Sequence, residues 1–219
     1  MNEEKEIDKE SKAYKIAAGK GVMNLPNKLT ISRIAMIPVF VLFFYLDFTA
    51  HYFVALAVFA IACLTDLFDG KIARKYNLVT NLGKFLDPIA DKVLVLSSLV
   101  IMLTVPDIFV AYLGDWAMVA AGCGVALILA REIIVSGFRM VAASANMVIA
   151  ADIFGKYKTV CQDVAVVIMI ISAGLGELLQ HTAVVVINFV GLSLFALSVI
   201  LTIVSGVNYL VKNREVLKK

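Results

Sequence analysis

The sequence predicts an all-α, polytopic membrane protein, a bundle of six transmembrane helices with both termini in the cytoplasm. Three observations support this fold class. Of the 219 residues, 61% are hydrophobic and 17% are charged, and the mean hydropathy of +0.92 exceeds that of an ordinary water-soluble domain. The apolar residues fall into six runs. The Lys and Arg residues lie in or beside the two ends of the chain and alternate connections between those runs.

The apolar runs have lengths suited to a bilayer, whose hydrocarbon core of about 30 Å needs about 20 apolar residues per helix. They cover approximately 29–46, 52–68, 86–105, 111–136, 157–175 and 183–211. Polar or helix-breaking residues separate them, such as Pro106 and Asp107. We therefore predict one membrane domain over 23–211.

Polar segments flank this domain at both ends. Residues 1–22 mix acidic and basic side chains and cannot bury a core of their own. Because no short apolar stretch follows a basic start, this segment is an extension and not a secretory signal. Residues 212–219 form a basic tail.

The distribution of positive charge predicts the topology. All 20 Lys and Arg residues lie in or beside the N terminus, the connection between runs two and three, the connection between runs four and five, and the C terminus. The breaks at 47–52, 105–115 and 173–183 contain none. The positive-inside rule then places the basic segments in the cytoplasm, which predicts a multi-pass protein of the cytoplasmic membrane. A net charge of only +3 gives no reason to expect nucleic acid as a partner.

Four aspartates border the connection between the second and third runs. At about 100° per residue, Asp66 and Asp69 share one helix face, and Asp87 and Asp91 lie one turn apart on the next helix. Carboxylates crowded at a membrane edge repel one another and lose hydration, so they take up protons or bind cations. Oxygen ligands suit Mg²⁺ or Mn²⁺, and paired ions stabilise both oxygens of a phosphoryl displacement. The structural alternative is that these aspartates are solvated residues at the ends of the spans. This alternative explains their shared helix faces less well than metal binding does.

Small and basic residues lie beside these aspartates. Gly70, Ala73 and Gly83 share the acidic faces and leave room for a ligand to approach the backbone. Arg74 is placed to pair with a phosphate.

The pattern D-x-x-D-G-x-x-A-R, eight residues, then G-x-x-x-D-x-x-x-D, filled from Asp66 to Asp91, resembles the signature of the CDP-alcohol phosphotransferases. The resemblance implies a six-helix membrane fold, usually a homodimer, in which Asp66, Asp69, Asp87 and Asp91 surround two divalent ions. It also implies that Asp91 is the general base. CDP-diacylglycerol is then the expected donor, contacting Gly70, Ala73, Arg74 and Gly83, together with Thr30 and Arg33 of the matching segment that precedes the signature.

The acceptor is suggested by basic residues outside the signature. Arg131 lies in the fourth run, Arg139 lies just beyond its end, and Lys156 follows in the next connection. An Arg inside a span needs an anion, which Glu132 or Asp152 could provide structurally. A phosphorylated acceptor explains the whole basic group better, because bidentate Arg orients phosphate. The segments at 24–33, 131–139 and 155–159 resemble those of bacterial members of the family that use glycerol 3-phosphate, which we predict as the acceptor.

Two alternatives remain open from the sequence. The same chemistry with inositol phosphate, or with phosphatidylglycerol as in a cardiolipin synthase, differs only in the acceptor. An ion or proton carrier also uses carboxylates within a membrane, although the aspartates here cluster at one membrane face.

Overall fold

In the computed structural model, the regular structure of the described residues, 24–76, 80–110, 114–144, 153–179 and 182–213, is entirely helical. The helices are α1 (Leu25–Tyr45), α2 (His51–Lys75), α3 (Asn81–Met102), the short α4 (Asp107–Val110), α5 (Asp115–Ser144), α6 (Ile153–Leu178) and α7 (Thr182–Lys212). The predicted all-α class is confirmed. The extension at 1–22 and residues 214–219 of the tail lie outside the described part of the chain.

Four helices are long and apolar enough to cross a membrane: Leu25–Tyr45, Trp116–Ala142, Ile153–Leu178 and Thr182–Lys212. Two further helices contain shorter apolar stretches, His51–Asp66 and Lys92–Met102. Each of the six predicted runs therefore corresponds to one helix, which identifies the chain as a polytopic membrane protein. Whether α2 and α3 also cross the membrane, and on which side the termini lie, stay predictions.

The chain divides into two compact units, and the first spans Met1–Leu94. In this unit α1 packs along α2. The side chains between the C-terminal half of α1 and the N-terminal half of α2 are aromatic. The ring centroids of Phe40 and Phe59 lie 6.0 Å apart, and those of Phe44 and Tyr52 lie 5.1 Å apart. Phe40, Phe44 and Phe59 are almost completely buried, so this cluster supplies the main apolar contact between the helices.

The N-terminal half of α1, with its capping residue, also has buried side chains, but these are polar: Asn24, Asn27, Thr30 and Arg33. Asn24 caps the helix, since its side-chain oxygen accepts a hydrogen bond from the Asn27 backbone N–H at 3.1 Å. Buried polar groups require partners. The N-terminal half of α1 is therefore a part of this unit in which specific polar contacts are made.

The second unit spans Val95–Lys219, and in it α7 packs against both α5 and α6. Small residues bring the helices together, as expected in a membrane. A Cβ at Gly191 would lie 2.8 Å from Met169 Cγ, and one at Gly124 would lie 3.0 Å from Val199 Cγ2. The buried residues of α7 recur mostly every three or four positions, which is the spacing found along the seam of a coiled coil. They are Asn188, Gly191, Phe195, Ser198, Thr202, Ser205, Gly206 and Tyr209.

Candidate active site

Both halves of the aspartate signature lie in helices of the first unit. Helix α2 continues to Lys75 and so carries Asp66, Asp69, Gly70, Ala73 and Arg74, whereas α3 carries Gly83, Asp87 and Asp91. The helical periodicity on which the predicted acidic faces depend is thus present. The side chains of Asp69, Asp87, Asp91, Ala73 and Arg74 lie outside the described ones, so the predicted convergence of the four carboxylates stays a prediction.

Asp66 is the signature aspartate whose side chain is described, and it pairs with Arg33 of α1. Arg33 Nη1 lies 2.7 Å from Asp66 Oδ1, with 1% of the Arg33 side chain and 38% of the Asp66 side chain exposed. A buried guanidinium requires such a partner. The pair leaves Asp66 partly accessible, at the position where the sequence predicts a metal ligand.

A set of carboxylate oxygens suits a hard divalent cation, and the partial exposure of Asp66 is compatible with that use. Among the described side chains, no three His, Cys, Asp or Glu residues lie together. Asp69, Asp87 and Asp91 are not among those side chains. The residues present therefore fit a divalent metal by their chemistry and by their positions in the helices.

The residue that precedes α3 is hydrogen-bonded to the start of α1. Asn27 Nδ2 donates a hydrogen bond to Thr80 Oγ1 at 2.8 Å, and Thr80 Oγ1 accepts another from the Gly83 backbone N–H at 3.0 Å. A Cβ at Gly83 would lie only 2.8 Å from Asn27 Oδ1. The small size of Gly83, which the sequence suggests is for ligand access, is therefore also required by the contact with Asn27.

Thr30 and Arg33, predicted to contact CDP-diacylglycerol, are both buried. The Thr30 hydroxyl donates to the Pro26 carbonyl of its own helix at 3.1 Å, and Arg33 contacts Asp66. These side chains thus have structural partners in the first unit, and their contact with the donor stays a prediction.

A second group of charged side chains lies in the second unit, where the second half of α5, the start of α6 and the end of α7 meet. Arg131 Nη1 donates to Glu132 Oε1 at 2.9 Å, and Lys158 Nζ donates to the same oxygen at 2.9 Å. Arg131 Nη2 contacts Ser205 Oγ at 3.3 Å. Of the two structural anions considered for Arg131, Glu132 is the one in contact. Asp152 lies outside the described residues.

The Arg131 side chain lies against two glycines. A Cβ at Gly206 would lie 3.1 Å from Arg131 Cγ, and one at Gly155 would lie 3.3 Å from Arg131 Nη2. Sequence reasoning assigned no role to these glycines. The available signal was their position: Gly155 opens the basic Gly155–Thr159 stretch and Gly206 follows Ser205.

The other two predicted acceptor residues are exposed. Arg139 Nε donates to the Tyr209 hydroxyl at 3.3 Å, and its guanidinium carbon lies 5.6 Å from the Tyr209 ring centroid. Lys156 is exposed, whereas Lys158 is buried against Glu132. Lys158 is therefore a residue of the basic group that the sequence interpretation passed over in favour of Lys156.

These features define an all-helical membrane protein with a candidate carboxylate site in one unit and a basic group in the other. Residues 23–210 match the family described as CDP-alcohol phosphatidyltransferase. The chain belongs to this family.

Three relatives are similar over most of the chain, and each is named CDP-diacylglycerol--glycerol-3-phosphate 3-phosphatidyltransferase. The relative from Bacillus subtilis (strain 168) is 39% identical over 210 residues, covering 90% of this chain and 98% of its own length. The one from Rickettsia bellii (strain RML369-C) is 38% identical over 186 residues, covering 85% and 93%. The one from Shigella flexneri is 38% identical over 189 residues, covering 85% and 93%.

Proposed function

We propose that the protein transfers the phosphatidyl group of CDP-diacylglycerol to glycerol 3-phosphate, which gives phosphatidylglycerophosphate and CMP. Family membership supports the donor and the reaction type, and the names of the three relatives supply the acceptor. The product serves the synthesis of anionic phospholipids.

The observation that favours a phosphorylated acceptor is the unused Nε–H of Arg131 in the buried group formed by Arg131, Glu132 and Lys158. Two cations share one carboxylate oxygen of Glu132, and the Asp163 carboxylate lies near enough to Lys158 to interact with it electrostatically. Arg131 Nε has no hydrogen-bond partner among the described residues. A buried guanidinium with an N–H group that lacks a partner is stabilised by an anion that accepts from it, and the phosphate of glycerol 3-phosphate is such an anion. Neutral serine or a cationic choline-type alcohol is not.

The residues have the following roles in this proposal. Arg131, Lys158, Arg139 and Lys156 bind and orient the acceptor phosphate, and Asp91 accepts the proton of the acceptor hydroxyl. That oxygen forms a bond to the lipid-side phosphorus while the bond from this phosphorus to the CMP oxygen breaks. CMP leaves with the bonding electrons.

We propose that Asp66, Asp69, Asp87 and Asp91 hold two divalent ions, Mg²⁺ or Mn²⁺. When bound, such ions offset the negative charge on the diphosphate of the donor. Gly70, Ala73, Gly83, Arg74, Thr30 and Arg33 are proposed to contact CDP-diacylglycerol. We further propose a homodimer in the cytoplasmic membrane with its active site facing the cytoplasm, which agrees with the segregation of Lys and Arg.

The test is CMP release by the purified protein in detergent with CDP-diacylglycerol, Mg²⁺ or Mn²⁺, and one acceptor at a time. We expect CMP release with glycerol 3-phosphate and formation of phosphatidylglycerophosphate. A preference for inositol phosphate or phosphatidylglycerol would contradict the acceptor assignment while preserving the reaction. Ion transport by reconstituted vesicles without CDP-diacylglycerol, and no CMP release with any acceptor, would contradict the enzyme assignment.

A further inference from the structure

We propose that α1 is a positioning element for the aspartate site: Asn27 holds the start of α3, and Arg33 holds Asp66 on α2. This inference rests on the proposed function, because it assigns α1 the task of aligning the two halves of the proposed metal site. The two contacts come from one helix that lies outside the signature. Asn27 and Arg33 are separated by about 120° around the α1 axis, so α1 can contact two different neighbours at once.

The first contact is centred on the Thr80 hydroxyl. It accepts from the Gly83 N–H at 3.0 Å and from Asn27 Nδ2 at 2.8 Å, and it lies 3.2 Å from Asn27 Oδ1, to which it donates. A hydroxyl has one donor and two acceptor sites, so this arrangement uses all of them. Thr80 is thus the N-cap of α3, and its orientation is coupled to Asn27, 53 positions earlier in the sequence.

The second feature of this contact is its close fit. Asn27 is 2% exposed, and a Cβ at Gly83 would lie 2.8 Å from Asn27 Oδ1 and 3.3 Å from Thr80 Oγ1. A separation of 2.8 Å is shorter than carbon and oxygen atoms tolerate without displacement. Any side chain at position 83 must therefore move the start of α3 or the Asn27 amide. Asp87 follows Gly83 by one helical turn and Asp91 by two.

The third observation is the contact to the other half of the signature. Arg33 Nη1 lies 2.7 Å from Asp66 Oδ1, and the Arg33 side chain is 1% exposed. A guanidinium fixed by burial restricts the carboxylate that it contacts. Because α1 is one continuous helix, the position of Asp66 is coupled to the position of the start of α3.

The test is a double-mutant cycle between Asn27→Ala and Gly83→Ala, read out as thermal stability of the detergent-purified protein and as Mn²⁺ affinity by calorimetry without lipid. Gly83→Ala alone should lower the Tm and weaken Mn²⁺ binding about five- to tenfold. In the Asn27→Ala background, where the amide oxygen is absent, the added methyl group should have a much smaller effect. Additive effects of the two substitutions would overturn the proposal.

Matched variants separate positioning from loss of folding. Thr80→Val should resemble Asn27→Ala, whereas Thr80→Ser, which keeps the hydroxyl, should bind Mn²⁺ like the wild type. Ser32→Ala serves as the control in α1, because among the described residues the Ser32 hydroxyl donates within its own helix, to Leu29 O at 2.8 Å. Wild-type Mn²⁺ affinity in both Asn27→Ala and Thr80→Val would also overturn the proposal.

The same variants distinguish this inference from the proposed donor contact of Gly83. If the lack of a side chain serves CDP-diacylglycerol alone, Gly83→Ala raises the KM for that substrate equally in both backgrounds and leaves Mn²⁺ affinity unchanged. A wild-type protein that releases CMP yet shows additive effects would refute the positioning role only. A wild-type protein that releases no CMP with any acceptor would instead refute the proposed function, whatever the outcome of the cycle.

Discussion

Arg33 is buried on α1 with its Nη1 atom 2.7 Å from Asp66 Oδ1, so the first aspartate of the signature is paired with a cation from outside it. Removing one partner of a buried pair is costly because the other charge is left without compensation. This cost is moderated here, since 38% of the Asp66 side chain is exposed.

We therefore expect Arg33→Met to lower the stability of the detergent-purified protein by about 1–3 kcal/mol and to reduce kcat at least tenfold. Arg33→Lys keeps the charge but not the geometry of the guanidinium, and it should retain more activity than Arg33→Met. Thermal unfolding and CMP release measure the two effects. Equal activity of Arg33→Met and wild type would show that the pair does not influence the site.

The proposed metal ligands predict a linked loss of binding and turnover. Asp69→Asn and Asp87→Asn should each abolish detectable CMP release and weaken Mn²⁺ binding measured by calorimetry, because a neutral amide binds a divalent cation less well than a carboxylate does. Asp107→Asn is the control, since Asp107 is exposed on the short α4. A variant with wild-type turnover at low Mg²⁺ would disprove its assignment as a ligand.

The two arginines of the basic group should contribute unequally to acceptor use. A charge-assisted hydrogen bond contributes about 1.5–3 kcal/mol, and about 1.4 kcal/mol corresponds to a tenfold change. Arg139→Ala should thus reduce kcat/KM for glycerol 3-phosphate by about ten- to a hundredfold. Arg131→Ala should reduce it at least as much, because the Arg131 side chain is only 13% exposed and its removal also takes away a hydrogen bond to Glu132.

Steady-state kinetics with each substrate varied in turn tests this prediction, and the KM for CDP-diacylglycerol should change little in either variant. Lys212→Ala, at an exposed position of α7, is a suitable control for the loss of a positive charge. An unchanged dependence on glycerol 3-phosphate in both arginine variants would exclude the basic group as the phosphate site.

Gly206→Ala tests the position of the Arg131 side chain without changing any charge. The new methyl group would lie 3.1 Å from Arg131 Cγ, so it should displace the guanidinium and raise the KM for glycerol 3-phosphate several-fold. Gly137→Ala is the matched control, because a Cβ there would have no atom of the described residues within 4 Å apart from its own local backbone and chain neighbours. It should leave both KM values unchanged and raise stability slightly, by at most about 1 kcal/mol. Similar kinetics of the two variants would contradict the prediction.

The predicted topology is tested by cysteine labelling in a background that lacks the free Cys63, Cys123 and Cys161. Cysteines introduced at the exposed positions Asp107 and Glu177 should react from outside intact cells with a reagent that does not cross membranes. A cysteine at Asn77 should react only after the membrane is permeabilised. The opposite labelling pattern would reverse the orientation.

The sequence by itself determined the fold class and the arrangement of the signature along the helices. Six apolar runs of bilayer length leave few options for the backbone, because unsatisfied peptide groups are too costly in lipid. The spacing of Asp66 and Asp69, and of Asp87 and Asp91, predicted shared helix faces, and both pairs do lie within α2 and α3. The fold class and the shared helix faces depend on residues that are close in sequence, so the local periodicity of the sequence is enough to predict them.

Only the tertiary structure decided which side chains meet across helices. In the structure Lys158 contacts Glu132, 26 positions away in the sequence, whereas Lys156 does not lie on the same face of α6. The two lysines are only two positions apart, but their side chains are separated by about 200° around the helix axis. The tertiary structure also placed the Asn27 amide against Gly83 and Arg33 against Asp66. Periodicity defines the faces of each helix, but the pairing of those faces depends on packing between segments that are distant in sequence. Examples of such packing are the contact between Phe40 and Phe59 and the close approach of Gly191 to Met169.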